Sequence, residues 1–166
     1  IHDAITSLHR ERAIDAAGIM MGQAFTPQAV KYAREHPELR VGVHLFATDR
    51  DCTPLTRKRW DRFWPEDLWI NSAVGLPYVD KLILEEVDAQ LKAWKDTGLP
   101  LHFINSHFHF HAHRKLVTKI TRLLLRHFPK FRGWVRLGDS CTMPGSVMDA
   151  ADPILDLIES GIYVRR

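Results

Sequence analysis

The amino-acid sequence predicts an α/β protein whose strands form a parallel sheet or part of a (β/α) barrel. Short apolar runs alternate with stretches of helical periodicity, cap and turn residues separate them, and histidines stand where two of the apolar runs end. Carboxyl ends of parallel strands are where such folds keep their chemistry. Four strands can be read, too few to close a barrel, and the first helix has no strand before it. The 166 residues are therefore expected to form one incomplete domain, 1–166, truncated at both ends.

The elements follow in order. Ile1, Ala4, Ile5, Leu8 and Arg12 share the spacing of one helix face. Ala16 to Met21 reads as a short buried strand. Thr26-Pro27 is a helix start, a capping threonine before a proline at the first helical position, and Pro37 stops that helix after His36. Arg40 to Phe46 is the second strand, with His44 near its carboxyl end. Thr48 to Pro77 reads as an irregular insertion rich in aromatic residues: Trp60, Phe63, Trp64 and Trp69. Those rings either cover the sheet wall or form a stacking platform for a substrate.

Tyr78 to Thr97 carries apolar residues at Leu82, Ile83, Val87, Leu91 and Trp94, which predicts a long amphipathic helix closed by Gly98. Leu101 to Ile104 is a third strand, Lys115 to Phe128 a further helix, and Gly133 to Leu137 a fourth strand. Ile154 to Ser160 is expected to be the last helix.

Composition sets limits on function. Hydrophobic residues make up 45% and charged residues 26%, the balance of an ordinary water-soluble domain, and no apolar run is long enough for a membrane span. No secretory signal is read at the start. Cys52 and Cys141 lack a CxxC partner, so a reduced, cytoplasmic setting is expected. The net charge of +3 is carried partly by Arg50, Arg57, Lys58, Arg59 and Arg62, and partly by Arg114, Lys115, Lys119, Arg122 and Arg126. That spacing is the solvated side of a helix rather than a nucleic-acid footprint, which would be denser. Homo-oligomerisation is left open.

Asn105-Ser106-His107-Phe108-His109-Phe110-His111-Ala112-His113 concentrates four of the ten histidines at alternate positions. In an extended backbone alternate side chains share a face, so four imidazoles would line one side and Phe108, Phe110 and Ala112 the other. A lone histidine beside apolar neighbours is usually a hydrogen-bonded packing residue, and a tag would be contiguous and terminal. A disordered histidine-rich tract is opposed by the strand and helix that flank the segment. Metal binding or acid–base chemistry at a strand end fits the cluster better.

Several of these segments together resemble the YdjC-like family of carbohydrate deacetylases, which includes chitooligosaccharide deacetylases and hopanoid-biosynthesis-associated members. Ile1-His2-Asp3-Ala4-Ile5 is similar to the family's Val-Asn-x-Ala-Ile helix start, and Val41-Gly42-Val43-His44-Leu45 to its Val-Gly-Leu-His-Leu strand. Ile19-Met20-Met21 with Ala33-Arg34-Glu35-His36-Pro37, Ala89-Gln90, Gly98-Leu99-Pro100 and Val135-Arg136 fall in the same order. Asn105 to His111 resembles the family's Asp-Ser-His-x-His-x-His signature.

The resemblance implies a distorted, partial (β/α) barrel of the polysaccharide-deacetylase-like type that binds one divalent metal ion, magnesium or zinc, through an aspartate and two histidines. His44 and His107 would be the histidine ligands, with His109 and His111 in the site handling protons or orienting ligands. The expected activity is hydrolysis of an N-acetyl group on an amino sugar or glycolipid, with an inactive metal- or carbohydrate-binding remnant as the alternative. Two departures stand out. The family's Asp-Asp-Phe-Gly motif, expected just before Ile1, is missing, and Asn105 replaces the usual aspartate, as in hopanoid-type members. Asparagine can orient a neighbour but cannot act as a base. Arg136 is expected to pair with Asp139 in preference to meeting a substrate anion.

Overall fold

The structure is a computed structural model and describes residues 2–47, 52–60, 74, 76–113, 115–136 and 163–165, with Arg59, Arg136 and 163–165 described by backbone alone. Five strands lie parallel in one sheet in sequence order: β1 (Ala16–Ile19), β2 (Arg40–Leu45), β3 (Phe103–Ser106), β4 (Trp134–Arg136) and β5 (Tyr163–Arg165). The helices are α1 (His2–Arg10), α2 (Thr26–Glu35), a short α3 (Arg57–Trp60), α4 (Pro77–Thr97) and α5 (Val117–His127). A 3-10 segment, His107–Ala112, follows β3. Helices between β1 and β2, β2 and β3, and β3 and β4, with each strand beside its predecessor, make the arc of a (β/α) barrel. The α/β expectation holds. β5 adds a fifth strand to the four read from sequence.

Period-two alternation sorts the sheet into two faces. Val41, Val43 and Leu45 of β2 are at most 2% exposed. They pack with Ile19, Ile104 and Val135 against Leu82, Ile83, Val87, Leu91 and Trp94 of α4 and Ile120 and Leu124 of α5. Each such side chain contributes roughly 1.5–3 kcal/mol of burial. Register sets Gly18 beside Gly42, His44 beside Asn105 and Phe103 beside Trp134. Alternation therefore assigns those six residues to the opposite face. His44 stands there because the apolar residues on either side of it are claimed by the helices.

Two polar side chains of α4 are fully buried in the helix layer. Glu86 and Gln90 of α4 are both 0% exposed. Gln90 Nε2 donates to the Phe46 carbonyl at 2.6 Å and to Glu86 Oε1 at 2.7 Å, while its Oε1 accepts from the Phe46 amide at 3.2 Å. Glu86 also accepts from the amides of Leu55 (2.9 Å) and Thr56 (2.8 Å) and from the Thr56 hydroxyl (2.6 Å). That hydroxyl in turn accepts from Trp60 Nε1 at 3.0 Å. A buried amide and carboxylate thus hold the end of β2, one residue beyond Leu45, and the loop that follows.

Element ends moved by one to three residues, with physical reasons. Thr26 lies inside α2 and Phe25 is the cap residue, because the Thr26 hydroxyl closes the preceding turn instead: it accepts from the Gln23 amide at 2.8 Å and donates to the Met20 carbonyl at 2.7 Å. The third strand runs Phe103–Ser106, two residues later than expected. The insertion is not wholly irregular, since Arg57–Trp60 is helical and Trp60 is 2% exposed, which makes that ring part of the wall. Phe63, Trp64, Trp69, Cys141, Asp139 and the helix expected at Ile154–Ser160 lie outside the described residues, as does the side chain of Arg136.

Gly98 caps α4 as expected, at φ 71°. A Cβ there would meet nothing within 4 Å, so Gly98→Ala isolates the backbone cost of the left-handed conformation. The expected result is a loss of about 1 kcal/mol in urea unfolding with an unchanged slope.

Candidate metal centre

His44 is the penultimate residue of β2, and His107 is the first residue beyond β3. These strands are direct neighbours, so about 4.8 Å of strand spacing separates the backbones that carry the two rings. Their ring centroids lie 5.8 Å apart, with planes at 78°. The structure therefore brings together the two residues that the resemblance pairs. His44 sits over Gly18: a Cβ on Gly18 would come within 3.1 Å of the His44 Cβ. Phe108 packs edge-on against His107, with 4.3 Å between ring centroids.

A metal bound to imidazole nitrogens at roughly 2.0–2.1 Å would set two such rings about 4.5–5.2 Å apart for angles between octahedral and tetrahedral. The observed separation exceeds that by less than 1 Å, which small side-chain rotations cover. Two neutral nitrogen donors fit part of a coordination shell. Among the described residues, no third imidazole, thiol or carboxylate completes a three-ligand set with them.

The rest of the histidine run departs from the expected extended strand. Strand geometry ends at Ser106; Phe108 and His109 both take φ 54°, left-handed values rare for residues with a Cβ. Each such residue costs of order 1–3 kcal/mol, and strain of this kind clusters at functional sites. The turn scatters the four imidazoles instead of lining them up. His111 is 2% exposed, its Nδ1 lies 2.5 Å from the Ser106 hydroxyl, and its amide donates to the same oxygen at 3.2 Å. His109 is half-buried, its ring 6.3 Å from that of His111. His113, 6% exposed, lies in the turn before α5: its carbonyl accepts from the amides of Leu116 and Val117, and its Nδ1 accepts from the Lys115 amide. Asn105 Oδ1 accepts from the Ser106 amide at 2.8 Å.

An apolar cavity of about 450 Å³ lies beside β1, lined by Ile5, Ala17, Ile19, Phe25, Tyr32 and Val41 among others. It has the volume of a small-molecule pocket, yet neither His44 nor His107 lines it. The cavity and the paired imidazoles are separate features of the fold. Sequence reading had no means of finding that cavity, because its lining comes from α1, β1 and α2 together.

A parallel α/β sheet with two imidazoles converging from adjacent strand ends defines a class: barrel-type domains with a polar site at their carboxyl-terminal rim. Within that class the chain belongs to the YdjC-like protein family, whose model matches residues 1–157. Among curated relatives, carbohydrate deacetylases of Vibrio campbellii and Oceanobacillus iheyensis are 28% and 30% identical over 141 and 128 residues, covering 80% and 74% of this chain. A carbohydrate deacetylase of Brevibacillus brevis is 32% identical over 124 residues, 72% of the chain. The chain spans about half the length of these relatives: 53%, 54% and 48%. A crystal structure from Enterococcus faecalis V583, of a protein with the provisional name cellobiose-phosphate cleavage protein, superimposes with a TM-score of 0.69. That match covers 98% of this chain and 59% of the other at 20% identity, and it establishes the shared fold. Among the described residues no helix is long and apolar enough to cross a membrane.

Proposed function

We propose that His44 and His107 are two ligands of one divalent cation, zinc or magnesium, in a carbohydrate deacetylase that hydrolyses the N-acetyl group of an amino sugar or glycolipid. The observation that carries this reading is the convergence of the two rings, 5.8 Å apart, from neighbouring strands. Membership of a family with curated carbohydrate deacetylases supports the substrate class. A bound cation would polarise the acetyl carbonyl and acidify a water molecule. His44 and His107 hold their donors in place through Gly18 and Phe108. His109 and His111 provide the proton for the departing sugar amine, with the Ser106 hydroxyl, 2.5 Å from His111 Nδ1, holding that ring in place. Asn105, where most family members carry aspartate, aligns the chain with the hopanoid-associated members and favours a glycolipid substrate.

A second reading, a binding domain without turnover, draws on Asn105 standing where most family members carry aspartate, since asparagine cannot act as a base. Deacetylation needs a base to take the water proton, and neutral histidine ligands alone supply no negative charge.

Two measurements on the untagged protein separate the readings. In zinc titration, His44→Ala and His107→Ala each remove one equivalent of tightly bound metal. Acetate release from an N-acetylglucosamine oligomer, measured with zinc and with magnesium, is present in the parent and lost in both variants. Metal binding without acetate release selects the binding domain. Unaltered metal stoichiometry in both variants rejects the ligand assignment.

A further inference from the structure

The opposite edge of the sheet holds a second cluster of metal-ligand side chains, unconnected with the site above. His9 lies in the last turn of α1, His36 is the C-terminal cap of α2, and Glu38 lies two residues before β2. Their ligand atoms all fall within 4.8 Å of one another, the one group of three or more such residues among those described. His36 Nδ1 is 3.1 Å from Glu38 Oε1, and His9 Nε2 is 3.8 Å from the same oxygen. A tetrahedral zinc ion with bonds of about 2.0–2.1 Å needs neighbouring ligand atoms roughly 3.3 Å apart. The three atoms already bracket that spacing.

The hydrogen bonds behind the cluster aim one donor into it. The Tyr32 hydroxyl donates to the Thr6 carbonyl at 3.3 Å and lies 3.0 Å from His9 Nδ1. With its proton committed to Thr6, the hydroxyl oxygen accepts from His9 Nδ1–H. In that tautomer Nε2 is the nitrogen available to a metal ion, as in a ligating imidazole held by a partner on its far nitrogen. The His9 side chain is only 10% exposed, so the ring is fixed by packing as well. The Tyr32 ring packs against His36 at a tilt of 36° with centroids 4.2 Å apart, so one tyrosine contacts both imidazoles.

We propose that His9, His36 and Glu38 form a zinc-binding site at the amino-terminal edge of the sheet, with water completing the tetrahedron. Arg40 begins β2 at that edge, and His44 lies four residues farther along, roughly 13 Å in an extended strand. The two sites are separate. Two nitrogens and a carboxylate oxygen suit zinc, whereas magnesium prefers oxygen ligands. The ion would clip α1 to the α2–β2 junction, a structural role that requires no reaction at this edge.

The test uses the untagged chain carrying His44→Ala and His107→Ala, which leaves this cluster as the remaining candidate, titrated with zinc chloride in a non-coordinating buffer at neutral pH. The expected result is one equivalent bound with micromolar affinity or better and a zinc-dependent rise in melting temperature. Adding Glu38→Gln or His36→Ala should weaken binding at least tenfold. Glu38 has a 62% exposed side chain, so its substitution leaves folding intact, as circular dichroism would verify. No bound zinc in the double variant, or affinity unmoved by both further substitutions, overturns the site. Failure of the deacetylase reading would show instead as unchanged stoichiometry on replacing His44 or His107, so the two outcomes stay distinguishable.

Discussion

Glu86→Ala is expected to lower stability by about 4 kcal/mol, because it strips four donors of their acceptor in a site closed to solvent. Those donors are the Leu55 and Thr56 amides, the Thr56 hydroxyl and Gln90 Nε2, all 2.6–2.9 Å from the Glu86 carboxylate. For a chain of this size the loss corresponds to a fall of roughly 12 °C in melting temperature. Glu86→Gln keeps one accepting oxygen but turns the other position into a donor facing donors, so an intermediate loss of about 2 kcal/mol is expected. Urea unfolding of the three proteins checks the order. A loss below about 1 kcal/mol for alanine would mean that water takes over these bonds and that the carboxylate does not organise the loop.

That network shows where sequence reading stops. The apolar positions of α4 were legible because Leu82, Ile83, Val87, Leu91 and Trp94 repeat with helical period, and all are at most 4% exposed. Gly98 was legible because a left-handed cap has its own chemistry. Glu86 and Gln90 lie on the same buried face, yet a polar residue in an apolar stripe announces no partner. Theirs are on segments thirty or more residues away in sequence, reached only through the fold. The short strand β5 was missed for a similar reason: Tyr163–Arg165 has no room to display alternation, and pairing with β4 defines it.

The histidine run divides the same way. Its density marked the end of β3 as a place for chemistry, and His44 and His107 do converge. Alternation alone then suggested four imidazoles in a row, which required strand geometry beyond Ser106. Two left-handed residues break that geometry, Ser106 draws His111 inward, and His113 enters the turn that leads into α5. Period-two spacing is a property of strands only, and no residue type in His107–Ala112 signals the turn; even glycine, the usual occupant of positive φ, is absent there. The second cluster was invisible for a different reason: His9, His36 and Glu38 are unremarkable one at a time and meet because α1 packs on α2 through Tyr32.

Gly42→Ala is expected to cost about 3 kcal/mol and to weaken metal binding at His44 and His107 at least tenfold. An added Cβ would lie 2.3 Å from the Phe103 carbonyl oxygen and 2.5 Å from two atoms of its ring. The carbonyl belongs to β3 itself, and the ring is stacked on Trp134 with centroids 4.4 Å apart, so neither can step aside cheaply. Relief requires β2 and β3 to separate, and those are the strands that carry the two imidazoles. Gly18→Ala makes the contrast. Its Cβ would press on the His44 side chain at 3.1 Å and on no backbone atom, so stability should fall by less than about 1 kcal/mol while zinc affinity at the pair still drops. Calorimetric titration and urea unfolding of both variants read the two effects separately. If Gly42→Ala proved as mild as Gly18→Ala in unfolding, the close approach of β2 to β3 would be wrong, and with it the geometric basis for placing His44 and His107 on one ion.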